Sequence, residues 1–304
     1  MSEPVHDAER LRELQALPLW RKIQITQTRI IEFYQKMNGN VSVSFSGGKD
    51  STVLAHLVHQ MYPDVPLVFY DTGLEYPEIR EFARKMGAVF IRGERTFFDV
   101  VRNIGYPLIS KDAAGSIAEA RKYSIHSARA MKLKGTYKGK DGKPSKFDLS
   151  KWLPIYDIPI LISDHCCMEM KKKPAHKYQR QTETHPYLGT LAEESLMRRN
   201  AWVKTGCNSF KAGHQQSTPI AFWKNQDILQ YIVTEGIEIA SVYGDIVDEN
   251  GCGIQQDVFG SIENSKLHCT GCDRTGCMFC AFGAHADKER FVRLSKTHPK
   301  QYDY

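Results

Sequence analysis

The run Val41-Ser-Val-Ser-Phe45-Ser46-Gly47-Gly48-Lys49-Asp50-Ser51 limits what this chain can fold into more than any other stretch. Val41 to Phe45 alternate apolar and polar, the period of a half-buried strand. Ser51–Tyr62 then carries Val53, Leu54, Leu57, Val58 and Met61 at helical spacing. A strand that passes into a helix over two adjacent glycines brings its backbone close to whatever sits at the turn, because neither glycine has a Cβ in the way. Successive N–H groups and the helix N-terminus then face one point, an arrangement that binds anions. Ser46 and Ser51 add hydroxyls and Lys49 adds positive charge. The spacing is not that of a Walker loop, whose first glycine lies further from its Gly-Lys pair.

The flanks extend the pattern. Leu67-Val-Phe-Tyr70 is a continuous apolar strand that ends at Asp71-Thr72-Gly73. Pro77 opens a helix running to Met86, and Val89-Phe-Ile91 is a third strand. Strands and helices alternating at short intervals predict an α/β fold, a parallel twisted sheet with helices on both faces. Such sheets bind ligands at the carboxyl ends of their strands, where Ser46–Ser51 and Asp71–Gly73 both fall. Residues 7–37 read as one long helix interrupted at Pro18, Tyr187–Thr190 as a strand before a helix near Leu191, and Asp227–Val233 as a helix. Residues 111–134 look helical and basic, and 135–146 form a loop of glycines, Pro144 and lysines. The expected organisation is a nucleotide-binding domain over 1–265 with a basic insertion near 111–147. A Cys-rich tail over 266–304 would pack on that same domain.

A net charge of +6 with a pI near 8.8 suits an anionic partner such as a nucleotide or a nucleic acid. If the partner is tRNA or DNA, Lys111–Lys146 is the expected contact surface. No apolar run is long enough to span a membrane, and Met1–His6 lack an apolar leader, so the expected location is the cytoplasm. Clustered cysteines in that compartment hold a metal or do chemistry. Cys269-x-x-Cys272 and Cys277-x-x-Cys280 form one cluster, and Cys166-Cys167 is a second. Spacing alone selects Cys269, Cys272, Cys277 and Cys280, with a gap between pairs shorter than in most zinc ribbons. That short gap and the adjacent pair favour iron–sulfur ligation, with zinc as the alternative. Cys207 and Cys252 read as ordinary thiols.

Several segments carry a family resemblance. The Ser46–Ser51 loop matches the PP-loop of the adenine-nucleotide α-hydrolases. Asp164-His-Cys166-Cys167-Met-Glu-Met-Lys171-Lys-Lys173-Pro174 looks like the Cys-Cys segment of adenylyl-sulfate reductases. Gly189-Thr-Leu-Ala-Glu193-Glu194-Ser195-Leu-Met-Arg198-Arg199 is similar to a glycine–acidic–serine–arginine signature, and Gly276-Cys277-Met-Phe-Cys280 looks like a later Cys-x-x-Cys. Over roughly residues 40–285 the chain resembles the iron–sulfur branch of the phosphoadenosine phosphosulfate (PAPS) reductase-like family.

The resemblance implies that Phe45–Ser51, Asp71, Thr72, Gly189, Arg198 and Arg199 bind ATP with Mg2+. Arg198 and Arg199 read equally well as a solvated helix face partnered by Glu193 and Glu194. The resemblance also selects Cys166, Cys167, Cys277 and Cys280 for a 4Fe–4S cluster and leaves Cys269 and Cys272 as thiols beside it. Family reductases use a mobile cysteine near the C-terminus, whereas no cysteine follows Cys280, and the loop keeps Lys49, as ATP-using members do. The implied activity is adenylation of a substrate with release of pyrophosphate, Lys49 and Asp50 acting catalytically. Sulfur would then pass between a donor and an acceptor that remain unnamed. The alternatives are a sulfonucleotide reductase, a tRNA- or DNA-thiolating enzyme, and a non-enzymatic nucleotide or redox sensor. The N-terminal helix is also a candidate for pairing two copies into a homodimer.

Overall fold

The computed structural model describes residues 5–123, 127–139, 142–143, 147–252, 266–285 and 287–303. Pro18 cannot extend a helix from its N-terminal side, and the long N-terminal helix read from the sequence is two: α1 (Ala8–Ala16) and α2 (Leu19–Lys36). β1 (Val41–Ser44), α3 (Lys49–His59), β2 (Leu67–Asp71), α4 (Pro77–Lys85) and β3 (Val89–Arg92) follow where the periodicities put them. Then come α5 (Phe97–Asn103), α6 (Lys111–Tyr123), α7 (Ala128–Leu133), α8 (Lys173–Thr182), β4 (His185–Leu188) and α9 (Leu196–Thr205). β5 (Asn208–Ser209), β6 (Gln216–Ser217), α10 (Asn225–Glu235), β7 (Ile246–Val247), β8 (His268–Cys269), α11 (Arg290–Thr297) and α12 (Pro299–Tyr302) complete the chain. Pro144, part of the loop read from the sequence, and residues 253–265, at the expected domain boundary, lie outside the described residues.

Six strands form one sheet in the order β3-β2-β1-β4-β6-β5. β1 runs parallel to β2 and to β4, β4 runs parallel to β6, and the short edge strand β5 is antiparallel. Val43 pairs with Leu67 on one side and Tyr187 on the other, so β1 is a central strand. Its consecutive Val41, Ser42 and Val43 are all buried, as parallel strands covered on both faces require. Among the described residues no helix is long and apolar enough to cross a membrane.

Contacts divide the chain into two units that differ from the expected boundary. The first comprises Met1–Tyr70, Tyr76–Ile91 and Ala175–Thr275, and the second Asp71–Glu75, Arg92–Pro174 and Gly276–Tyr304. By contacts, the Cys-rich tail is divided between the two units. Residues 266–275 stay with the first unit because β8 pairs with β7, and the N–H groups of Gly271 and Cys272 donate to the carbonyls of Tyr243 and Val242. Residues from Gly276 onward join the second because the Met278 N–H donates to the Leu74 carbonyl (2.7 Å) and buried Arg290 donates to the Cys277 carbonyl (2.7 Å). The basic insertion also belongs to the second unit. There α6 and α7 bury Ala114, Ile117, Ala120, Ala130 and Leu133 in one cluster.

In the first unit α2 is fastened by polar bonds in an apolar setting. The Lys22 ammonium, 2% exposed, lies 2.8 and 2.6 Å from the two carboxylate oxygens of Asp227, which also accepts the Lys224 N–H at the start of α10. Removing one partner of a buried ion pair strands the other charge. Lys22→Met is expected to destabilise the fold by about 3–5 kcal/mol, read as a lowered urea midpoint. Lys22→Met combined with Asp227→Leu should recover part of that loss.

Candidate functional site

The strand-to-helix loop of the first unit is built almost wholly from its own atoms. Gly47 has φ +69°, and a Cβ there would stand 2.9 Å from Ile79 Cγ2 and 3.0 Å from the Ile79 carbonyl oxygen. Only glycine meets both conditions. The Ser51 hydroxyl donates to the Gly48 carbonyl (2.8 Å) and accepts the Ser46 N–H (3.2 Å), while Ser46 Oγ accepts the Gly48 N–H (3.3 Å). The two hydroxyls read as ligand donors thus also hold the loop in shape. Gly48 caps α3 without a side-chain bond, and Phe45 beneath it is buried. Gly189, at the end of β4, has a packing reason of its own: a Cβ would come within 3.0 Å of Ser51 Cα and 3.1 Å of the Asp50 carbonyl oxygen.

Lys49 is 5% exposed, with its ammonium 3.4 Å from Asp50 Oδ1 and 6.0 Å from the centroid of the Tyr243 ring. Its backbone N–H donates to the Tyr243 hydroxyl (3.2 Å), which shares a further bond with Thr275 Oγ1 (2.9 Å). Burial pushes the Tyr243 phenol upward, so it stays neutral and keeps its proton. Arg198 pairs with Glu194 one helical turn earlier, and Glu194 also takes Arg274. Burial, with Arg274 beside it, lowers the Arg198 pKa, and Asp50 acts against that. Arg199 is exposed on the same helix, so the two adjacent arginines have different surroundings. Cys269 and Cys272 are buried in this unit, and burial pushes the Cys269 thiol up to about 11 despite the opposing charge of Lys49.

The second unit holds the remaining predicted residues. Asp71 is buried at the end of β2, where its carboxylate accepts the Gly73 N–H (3.0 Å) and Arg92 Nε (2.9 Å). Thr72 donates through its N–H and hydroxyl to the two carboxylate oxygens of Glu75 (3.0 and 2.8 Å), and its Oγ1 lies 3.8 Å from Cys277 Sγ. Glu75 is buried and pairs with Lys171 (3.2 Å). Burial works against the Lys171 charge, but Cys277 and Glu75 hold its pKa above the ordinary lysine value. Sequence reasoning missed Glu75, Arg274 and Tyr243. The sole available signal for Glu75 was its place just after Asp71-Thr72-Gly73.

Cys166, Cys167, Cys277 and Cys280 line one small cavity together with Leu74, Phe97, Pro107, Phe279 and Phe282. Burial pushes the Cys166 thiol up to about 12, and burial also raises Cys277. The Cys pair leads directly into a widened π-helical turn, Met168–Lys172. Pro174 lies just beyond it, and its missing N–H and bulky ring disfavour an ordinary α-turn there. A larger cleft of about 690 Å³ shares Leu74, Phe97 and Phe279 with the cysteine cavity, and its polar lining includes Asp71, Thr72, Arg92, Arg95 and Thr96. No group of three or more His, Cys, Asp or Glu among the described residues is arranged to hold a single metal ion.

Residues 40–93 match the phosphoadenosine phosphosulfate reductase domain. An uncharacterized protein of Methanocaldococcus jannaschii is 22% identical over 297 residues, covering 93% of this chain and 51% of its own length. The phosphoadenosine 5'-phosphosulfate reductase of Photorhabdus laumondii is 38% identical over 52 residues, 17% of this chain and 21% of that enzyme. The chain thus spans about half the length of the first relative and less of the second. The crystal structure of phosphoadenylyl-sulfate reductase from Candida auris, a phosphate complex, aligns with 79% of this chain and 92% of its own at a TM-score of 0.38 and 12% identity. The sequence match to the phosphoadenosine phosphosulfate reductase domain thus lies in residues 40–93, from β1 to the end of β3.

Proposed function

We propose that the chain is a PP-loop enzyme that consumes ATP to adenylate a substrate and so prepares it for sulfur transfer, working with a 4Fe–4S cluster. The observation that carries this reading is the pairing of two features: a Gly-Gly loop opening α3 that keeps a buried lysine, and four cysteines around a single apolar cavity. In the reaction an oxygen of the acceptor attacks the α-phosphorus of ATP. The bond from that phosphorus to the bridging oxygen breaks, and its electron pair leaves on pyrophosphate. A sulfur nucleophile then displaces AMP. Lys49 and the N–H groups that open α3 offset the charge that builds on the departing pyrophosphate. Asp50 offers a carboxylate to Mg2+, a hard cation that prefers oxygen.

The donor set fits the cluster: four thiols and no competing carboxylate line a cavity walled by leucine, proline and phenylalanine. Cys166, Cys167, Cys277 and Cys280 would hold it, and bound there it would supply redox and sulfur-binding chemistry. Around it, Lys171 offsets thiolate charge, Glu75 fixes that lysine, and the Thr72 hydroxyl, which donates to Glu75, lies 3.8 Å from Cys277 Sγ.

A second reading, reduction of a sulfonucleotide to sulfite, is favoured by the domain match over residues 40–93. One assay pair separates the two. Protein purified without air and given Mg2+ and ATP is expected to form AMP and pyrophosphate. The same protein given PAPS or adenylyl sulfate with reduced thioredoxin is expected to form no sulfite. Sulfite formation without ATP turnover would replace the first reading by the second.

A further inference from the structure

We infer that the described residues of segment 105–162, in the second unit, form a docking surface for single-stranded nucleic acid. The inference concerns binding alone and stands apart from the chemistry proposed at the loop. Its first ground is where the charge lies. Residues 105–162 hold eleven lysines and arginines against five aspartates and glutamates, a net of +6, which is the net charge of the whole chain. Everything outside the segment balances to zero. A cationic excess confined to one stretch is the electrostatic footprint of a polyanion partner.

The structure shows which of these charges have other work. Arg121 is internal: its guanidinium donates to the carbonyls of Ile155, Tyr156, Ile158 and Ile160. Arg129 pairs with Glu119 and Asp164, and Lys132 with Asp112. Lys111, Lys122, Lys134, Lys138 and Lys151 are exposed. The segment also exposes aromatic rings. Tyr123 is 67% and Phe147 49% exposed, with Lys122 Nζ 4.7 Å and Lys132 Nζ 5.4 Å from their respective ring centroids. Exposed rings among cations are what single strands use, because unpaired bases stack on rings while phosphates meet lysines.

The two ends of the segment also meet. The Tyr106 N–H donates to the Leu161 carbonyl (2.8 Å) and the Ser163 N–H to the Tyr106 carbonyl (3.0 Å). Tyr106, at this closure, also lines the cleft beside the cysteine cavity. An anionic membrane surface would ask for something else, a helix that leaves its apolar face outward. Here α6 and α7 bury their apolar faces in the unit's own core, while Leu153, Ile158, Ile160 and Leu161 stay exposed, so binding to anionic vesicles decides for or against a membrane.

The test is fluorescence anisotropy of the full chain, without ATP, with labelled mixed-sequence single-stranded RNA, single-stranded DNA and duplex DNA across a salt series. We expect single strands to bind more tightly than the duplex, with a slope of log K against log salt of about −3, as for four phosphate contacts. The better single strand identifies the source of the ligand. Changing Lys122, Lys134, Lys138 and Lys151 together to alanine should weaken binding at least about tenfold and flatten the slope, and Tyr123→Ala with Phe147→Ala should cost about tenfold with the slope kept. These side chains are exposed, so the folded state should survive, checked by circular dichroism. Absence of binding at low salt, an unchanged slope in the lysine variant, or binding only to anionic phosphatidylserine vesicles would overturn the inference. None of these outcomes bears on whether ATP yields pyrophosphate.

Discussion

Cys277→Ser protein purified without air is expected to carry iron and acid-labile sulfide only at background, and to lack the broad visible absorbance expected of the wild type. Cys166→Ser, Cys167→Ser and Cys280→Ser should do the same, whereas Cys269→Ser and Cys272→Ser should keep both elements. The contrast follows from geometry and chemistry together. Four cysteines line one cavity in the second unit, while Cys269 and Cys272 are buried in the first. A cluster needs thiolates, and a serine hydroxyl, nearly the same size, is a far poorer ligand for iron. The fold around Cys277 does not rest on its sulfur alone, because Arg290 holds its carbonyl and Leu74 accepts the next N–H. Loss of iron in Cys277→Ser should therefore come with an intact circular dichroism spectrum. Zinc without sulfide in the wild type, or loss of metal in the Cys269 and Cys272 variants, would move the centre to the tail pairs.

The features legible in the sequence were the short-range ones. The change from period two to helical spacing over Gly47-Gly48 foretold β1, the loop and α3, since those atoms are near one another along the chain. Pro18 announced a break in the first helix but not its clean division into two. The division into two units was not legible, because it depends on pairs such as Leu74 with Met278 and Tyr106 with Leu161, which no local pattern encodes. Tyr243 beneath the loop was missed for the same reason: it lies 194 residues from the lysine whose N–H it accepts. Arg198 and Arg199 were indistinguishable as letters. One step along a helix rotates a side chain by about 100°, which left one beside Glu194 and the other in solvent. The choice between the two cysteine quartets is equally three-dimensional, since spacing favoured the local pairs while the cavity joins residues more than a hundred positions apart.

Lys49→Ala is expected to slow pyrophosphate release from Mg2+ and ATP, with water as the acceptor, by about 10²–10³-fold, a barrier increase of about 3–4 kcal/mol. The side chain is almost fully buried, so its charge acts in a medium that screens little. Truncation to alanine removes that charge but spares the bonds that shape the loop. The backbone N–H of residue 49 still reaches Tyr243, and Ser46, Gly48 and Ser51 keep their mutual bonds. A fall in rate with unchanged thermal stability and iron content would thus report lost charge stabilisation, not a collapsed loop. Lys49→Arg should recover little, because a planar guanidinium does not fit where a compact ammonium sits between Asp50 and the Tyr243 ring. Arg199→Ala, on the exposed side of α9, should stay within about twofold of wild type, the ordinary outcome for a surface substitution. If Lys49→Ala released pyrophosphate at the wild-type rate, the loop would have no part in breaking the phosphate bond. The match to the reductase domain would then be the better guide to the chain's chemistry.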